Sequence, residues 1–99
     1  SPAARKAAAS IFQALLAADE LLASGTRAPR NIEERCNSIL HESGVEAVDY
    51  ITVVDLATLH PLDTIDRNCV LAIACHFGGV RLIDNMIIHT DGENVQCVY

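Results

Sequence analysis

Two adjacent glycines, Gly78 and Gly79, sit between two apolar runs. Ala72-Ile73-Ala74-Cys75-His76-Phe77 precedes them and Val80-Arg81-Leu82-Ile83-Asp84-Asn85-Met86-Ile87-Ile88 follows. Glycine tolerates the positive φ angles that two-residue hairpin turns demand. Apolar, β-branched flanks suit strands of a packed sheet. The spacing therefore predicts a β-hairpin, and so short a turn also fixes its register. Phe77 should face Val80, Cys75 Leu82, Ile73 Asp84 and Leu71 Met86. Side chains alternate along a strand, so these pairs share one face. The other face carries His76 with Arg81, Ala74 with Ile83, Ala72 with Asn85 and Val70 with Ile87. The first face is greasy apart from Asp84 and is expected to pack on helices. The second, with small residues beside Arg81 and Asn85, is left to receive something else.

Helices are predicted upstream. Ser1 as N-cap and Pro2 at the first helical position start one. Ala8, Ile11, Leu15, Ala18 and Leu22 form its apolar stripe, widened by Phe12 and Leu16, and Gly25 ends it after Ser24. Arg5 and Lys6 lie at the helix end where the macrodipole disfavours cations. Solvation accounts for them, as would something acidic or phosphorylated nearby. A second helix is expected from Asn31, where Asn31 and Glu34 match a capping box. Ile32, Cys36, Ile39 and Leu40 face inward, and Gly44 closes it after Ser43. Residues 46–54 read as a first strand. Val48, Tyr50, Thr52 and Val54 point one way, and Ala47, Asp49, Ile51 and Val53 the other. A long polar connection over residues 55–68 leads to the hairpin. Residues 94–99 alternate polar and apolar, which favours a short fourth strand over a frayed tail. The expected fold is α+β, a two-layer sandwich of two N-terminal helices on a small, mainly antiparallel three-stranded sheet with that short fourth strand beside it.

The 99 residues make one small domain, and 51% hydrophobic content suffices for a core. A net charge of −6 disfavours phosphate-driven binding of nucleic acid. No apolar run approaches the roughly 20 residues of a membrane span, and the opening resembles no signal peptide, so a cytoplasmic protein without membrane or nucleic-acid partners is expected. Cys36, Cys69, Cys75 and Cys97 are read as reduced thiols, since the core needs no disulfides. No metal site is expected: no Cys-x-x-Cys occurs, adjacent Cys75 and His76 point to opposite faces, and Asp63 and Asp66 lack a ligand loop. His60, alone before Pro61, reads as a surface residue. No catalytic residue is assigned. Asp84 falls on the face expected to be buried, where a carboxylate must be paired or hydrogen-bonded. It is read as structural, with a perturbed catalytic acid as the alternative.

One set of residues resembles a family. Val48-Asp49-Tyr50-Ile51, then Asp55, Thr58-Leu59 and Pro61, then Phe77-Gly78 and Arg81-Leu82-Ile83-Asp84-Asn85-Met86 resemble the C-terminal half of the pantoate–β-alanine ligase family. Ser1-Pro2-Ala3-Ala4-Arg5-Lys6-Ala7-Ala8 is similar to the helix after that family's serine-rich nucleotide motif. Residues 89–99 depart from the family pattern. The resemblance implies an enzyme that joins pantoate to β-alanine through a pantoyl adenylate, releasing AMP and pyrophosphate from ATP with Mg. It also implies that a Rossmann-like N-terminal domain holds the nucleotide motifs, which are missing here. Residues 1–99 would then be a C-terminal lid with no cofactor of its own. Arg81, Asn85, Arg5 and Lys6 would be its interdomain candidates, and Asp84, Gly78, Gly79 and Tyr50 structural residues. The alternative is a free-standing interaction or oligomerisation module, with a homodimer formed at the sheet face or the edge beside residues 95–99.

Overall fold

A computed structural model describes residues 2–99 of the chain. Helix α1 spans Pro2–Ala23 and α2 Pro29–Glu42; strands β1 Ala47–Asp55, β2 Cys69–Phe77, β3 Val80–Thr90 and β4 Val95–Val98 follow. The four strands form one antiparallel sheet in the order β1-β2-β3-β4. Both helices lie on one of its faces. The fourth strand is formed, so the sheet is one strand larger than its three-stranded minimum.

The hairpin register is the expected one throughout: Phe77 faces Val80, Cys75 Leu82, Ile73 Asp84 and Leu71 Met86. Gly78 and Gly79 turn with φ of 53° and 78°, the left-handed region glycine enters at little cost. Leu71, Ile73, Cys75, Phe77, Met86 and Ile88 are buried on the inner face, beneath Ile11, Leu15 and Leu22 of α1 and Ile32, Cys36 and Leu40 of α2. Each large aliphatic group so buried stabilises the fold by ~1.5–3 kcal/mol. Ile65, in the connection after β1, is fully buried and joins the same core cluster.

Both helices stop where their glycines require. The amides of Gly25 and Thr26 donate to the carbonyls of Leu22 and Leu21, and those of Gly44 and Val45 to His41 and Leu40. This is the paired bonding of a helix closed by a left-handed residue. Ser1, the expected N-cap, lies outside the described residues.

Four expectations need correction. Helix α2 begins at Pro29, with Ala28 as an N-cap that makes no side-chain bond. Proline's fixed φ suits the first helical position, and it prevails over the Asn31–Glu34 capping box. In α1, Ala7 and Ala14 are buried while Ala8, Phe12 and Leu16 are exposed. The buried stripe is narrower and rotated, because small alanines let the helix approach the sheet. In β1, a bulge between Val48 and Tyr50 shifts the phase of the strand. Val48 therefore pairs with Cys75 and joins the core layer beside Ile51 and Val53, while Tyr50, Thr52 and Val54 take the outer face. Asp84 is exposed rather than buried. It sits on β3 before the point where β4 begins to pair, at Ile87, and its Oδ1 accepts the Asn85 amide at 2.8 Å. That bond satisfies a main-chain donor on an open stretch of edge.

Candidate functional site

The face away from the helices is bare. Tyr50, Thr52 and Val54 of β1, Ala72 and Ala74 of β2, Ile83, Asn85 and Ile87 of β3 and Val98 of β4 lie on it by register. Ile83 is 57% exposed, Val98 45% and Tyr50 38%. Tyr50 and Ile83 stand on either side of Ala74, and Val98 lies farther along, opposite Ile87; large apolar groups exposed on an uncovered sheet mark an interaction surface. Ala74 is fully buried there, flanked by Tyr50 and Ile83 on the neighbouring strands.

One polar cluster stands at the hairpin end of this face. His76 and Arg81 are cross-strand partners. Asp49, the residue taken out of the ladder by the bulge, reaches both. Arg81 Nε donates to its Oδ2 at 2.7 Å, and His76 Nε2 lies 3.1 Å from the same oxygen and 3.2 Å from Oδ1. The Arg81 N–H, and secondly His76, hold the Asp49 carboxyl below the usual carboxylate range. Beside this cluster the Glu46 carboxylate accepts the Gly79 amide at 2.7 Å. Sequence reading picks out Arg81 and leaves out Asp49 and His76. A lone acid in an otherwise apolar strand is the available signal.

Arg81 and Asn85 share the bare face, whereas Arg5 and Lys6 are exposed on the helix layer. The sheet thus separates the four candidates into two places. Lys6 Nζ stands 3.9 Å from where a Gly44 Cβ would be, at the C-terminal end of α2, which favours a cation.

The connection between β1 and β2 is a second organised region. Asp55 is buried, and its Oδ1 accepts the amides of Ala57 at 2.7 Å and Thr58 at 3.0 Å. These amide bonds, Thr58 first, hold its carboxyl below the usual range. The turn leaves Leu59 at φ 62° and 65% exposed. His60 is exposed, as expected, and Asp66 pairs with Arg67 at 2.9 Å. Among the described residues no group of three His, Cys, Asp or Glu could hold a metal ion, and no helix is long and apolar enough to cross a membrane. The thiols are free, with Cys36, Cys69 and Cys75 buried and Cys97 half-buried.

Fold and site together define a two-layer α+β domain that covers one face of its sheet and presents the other. The chain belongs to the pantoate-beta-alanine ligase family, whose sequence model matches residues 1–87. It is 38% identical over 88 residues to the pantothenate synthetase of Thermotoga petrophila, covering 89% of this chain and 31% of that protein. Identity reaches 42% over 84 residues with the pantothenate synthetase of Thermosipho africanus, covering 85% and 30%. A crystal structure of pantothenate synthetase from Thermus thermophilus superposes with a TM-score of 0.74 at 30% identity, over 86% of this chain and 30% of that one. The chain thus spans about 30% of the length of the relatives it matches.

Proposed function

We propose that the chain is the C-terminal domain of a pantoate–β-alanine ligase and closes its bare sheet face over an N-terminal, Rossmann-like nucleotide-binding domain. On this reading the whole enzyme makes pantothenate in two steps. The pantoate carboxylate attacks the α-phosphorus of ATP, giving pantoyl adenylate and pyrophosphate. The β-alanine amine then attacks the acyl carbon and displaces AMP. Water competes at the same carbon, returning pantoate and AMP, so the adenylate needs a closed site.

The observation that carries the reading is the uncovered face, on which Tyr50, Ile83 and Val98 are each exposed, in a chain that matches about 30% of its relatives. The residues here do not fit ATP and Mg by themselves. The described residues offer no metal-ligating trio, and the glycines serve turns and helix ends rather than a phosphate cradle. The nucleotide and its cation are accordingly assigned to the other domain, and this domain contributes water exclusion and orientation. Cytoplasmic placement suits its four free thiols.

The test compares AMP formation from ATP, pantoate and β-alanine by the 99-residue chain and by the chain joined to its upstream nucleotide-binding domain. Activity confined to the joined protein supports the reading. No activity in either, together with a stable dimer of the short chain by size exclusion, overturns it in favour of a free-standing interaction module.

A further inference from the structure

The Asp49–His76–Arg81 cluster is not explained by packing. All three side chains are substantially exposed, at 35%, 35% and 47%, and ion pairs so placed add little stability because water competes for both charges. Yet the cluster depends on a bulge that takes Asp49 out of the β1–β2 ladder. Bulges re-aim side chains, and they concentrate at edges and near sites. What this one achieves is a fixed arginine. Asp49 takes the Nε–H of Arg81 at 2.7 Å and is itself held by His76. Among the described residues, the two terminal amino groups of Arg81 have no acceptor. A guanidinium anchored through Nε keeps a planar edge of N–H donors that matches two oxygens of a carboxylate or phosphate.

We propose that Asp49 is a positioning residue that presents Arg81 as the oxyanion receptor of the bare face. The receptor takes a carboxylate or phosphoryl group of a substrate carried by the opposing domain. This rests on the lid reading above. The site grips by donor geometry more than by charge, because Asp49 offsets the arginine's charge. That distinction makes the proposal testable. Removing the Asp49 carboxylate, charge and acceptor together, would strengthen a purely Coulombic site, whereas it weakens one that needs Arg81 held in place.

The experiment uses the full-length enzyme with Arg81→Lys, Asp49→Ala and the double variant. It measures kcat, and KM separately for ATP and pantoate, with thermal midpoints as a check on folding. The proposal predicts that each single variant lowers kcat/KM for one anionic substrate by about tenfold or more, and that the double variant is no worse than Arg81→Lys. A loss falling on pantoate identifies its carboxylate as the group received, and a loss on ATP its phosphates. Asp49→Ala with unchanged or improved kcat/KM, or Arg81→Lys with unchanged kcat/KM, overturns the inference while the enzyme still requires this domain. If the nucleotide-binding domain alone turns over at the full rate, the lid reading itself fails.

Discussion

Gly78 and Gly79 form one turn, yet alanine should be tolerated differently at the two positions. Both have positive φ, at 53° and 78°. Placing an L-residue in this region costs about 1–2 kcal/mol, partly offset by about 0.4–1 kcal/mol from a less free unfolded chain. Nothing lies within 4 Å of a Cβ at Gly79, so Gly79→Ala should cost only the difference, about 1 kcal/mol. At Gly78 the new Cβ would stand 2.9 Å from the Ala3 Cβ, well inside the ~3.5–4.0 Å of a comfortable carbon contact. The first turn of α1 must then move, at an overpacking cost of about 1–3 kcal/mol. Gly78→Ala should therefore cost about 2–4 kcal/mol in all, by adding the strain and the overpacking. A domain of this size loses roughly 4–8 °C per kcal/mol, so thermal unfolding followed by circular dichroism will separate the two variants. Ala3→Gly in the Gly78→Ala background should recover the contact cost and leave the strain. Equal losses at the two glycines, or no coupling to Ala3, would show that the helix start does not rest on the turn.

Arg27 ties the helix layer to the β3–β4 turn. Its guanidinium donates to the carbonyls of Leu22 at 2.8 Å and of Thr26, Gly92 and Glu93 at 2.9 Å. Arg27→Ala should cost about 2–4 kcal/mol in urea unfolding, and a loss below about 1 kcal/mol would refute that role. Burial pushes the Cys36 thiol up to about 12 and Cys69 to about 11, and burial with the Asp19 hydrogen bond takes Cys97 to about 12. Thiolate being the reactive form, an aromatic disulfide reagent at pH 8 should react slowly with the folded chain and with four thiols once it unfolds; fast reaction in the native state contradicts this. The carboxyls of Asp49, Asp55 and Asp91 are all held low, by Arg81, by the Thr58 and Ala57 amides, and by the Asn94 and Glu93 amides. Depressed folded values contribute stability that is complete above the ordinary carboxylate range near ~4 and is lost as pH falls through the folded values. Unfolding midpoints should hold between pH 5 and 8, drop on acidification, and drop less in Asp55→Asn; an identical acid limb in that variant would refute the assignment.

Local chemistry made much of this fold legible. The turn at Gly78-Gly79 dictates every pair of the β2–β3 ladder, and Gly25 and Gly44 end their helices. The phase of β1 was not legible. It depends on pairing with β2 across residues 56–68, so no tight turn announces the bulge at Asp49. With the bulge unseen, Asp49 read as pointing away from Tyr50's face, and its meeting with His76 and Arg81 stayed hidden. Asp84 shares the periodicity of the buried residues around it, but periodicity does not reveal where the helices stop covering β3. Phe12 is exposed for another reason: its ring packs at a tilt against Tyr99, 5.7 Å between centroids, while the Tyr99 hydroxyl donates to Asp19 at 2.6 Å. Those contacts come from a tail beyond the 1–87 family match.

The proposed sealing role of the bare face is tested most directly by the ratio of AMP to pantothenate produced by the full-length enzyme. With the face intact, each AMP should accompany one pantothenate. Replacing Ile83 and Tyr50 by serine should let water reach the proposed adenylate, so that AMP exceeds pantothenate while ATP is still consumed. A ratio that stays at one in a variant that remains folded and active would contradict a lid that closes through this face.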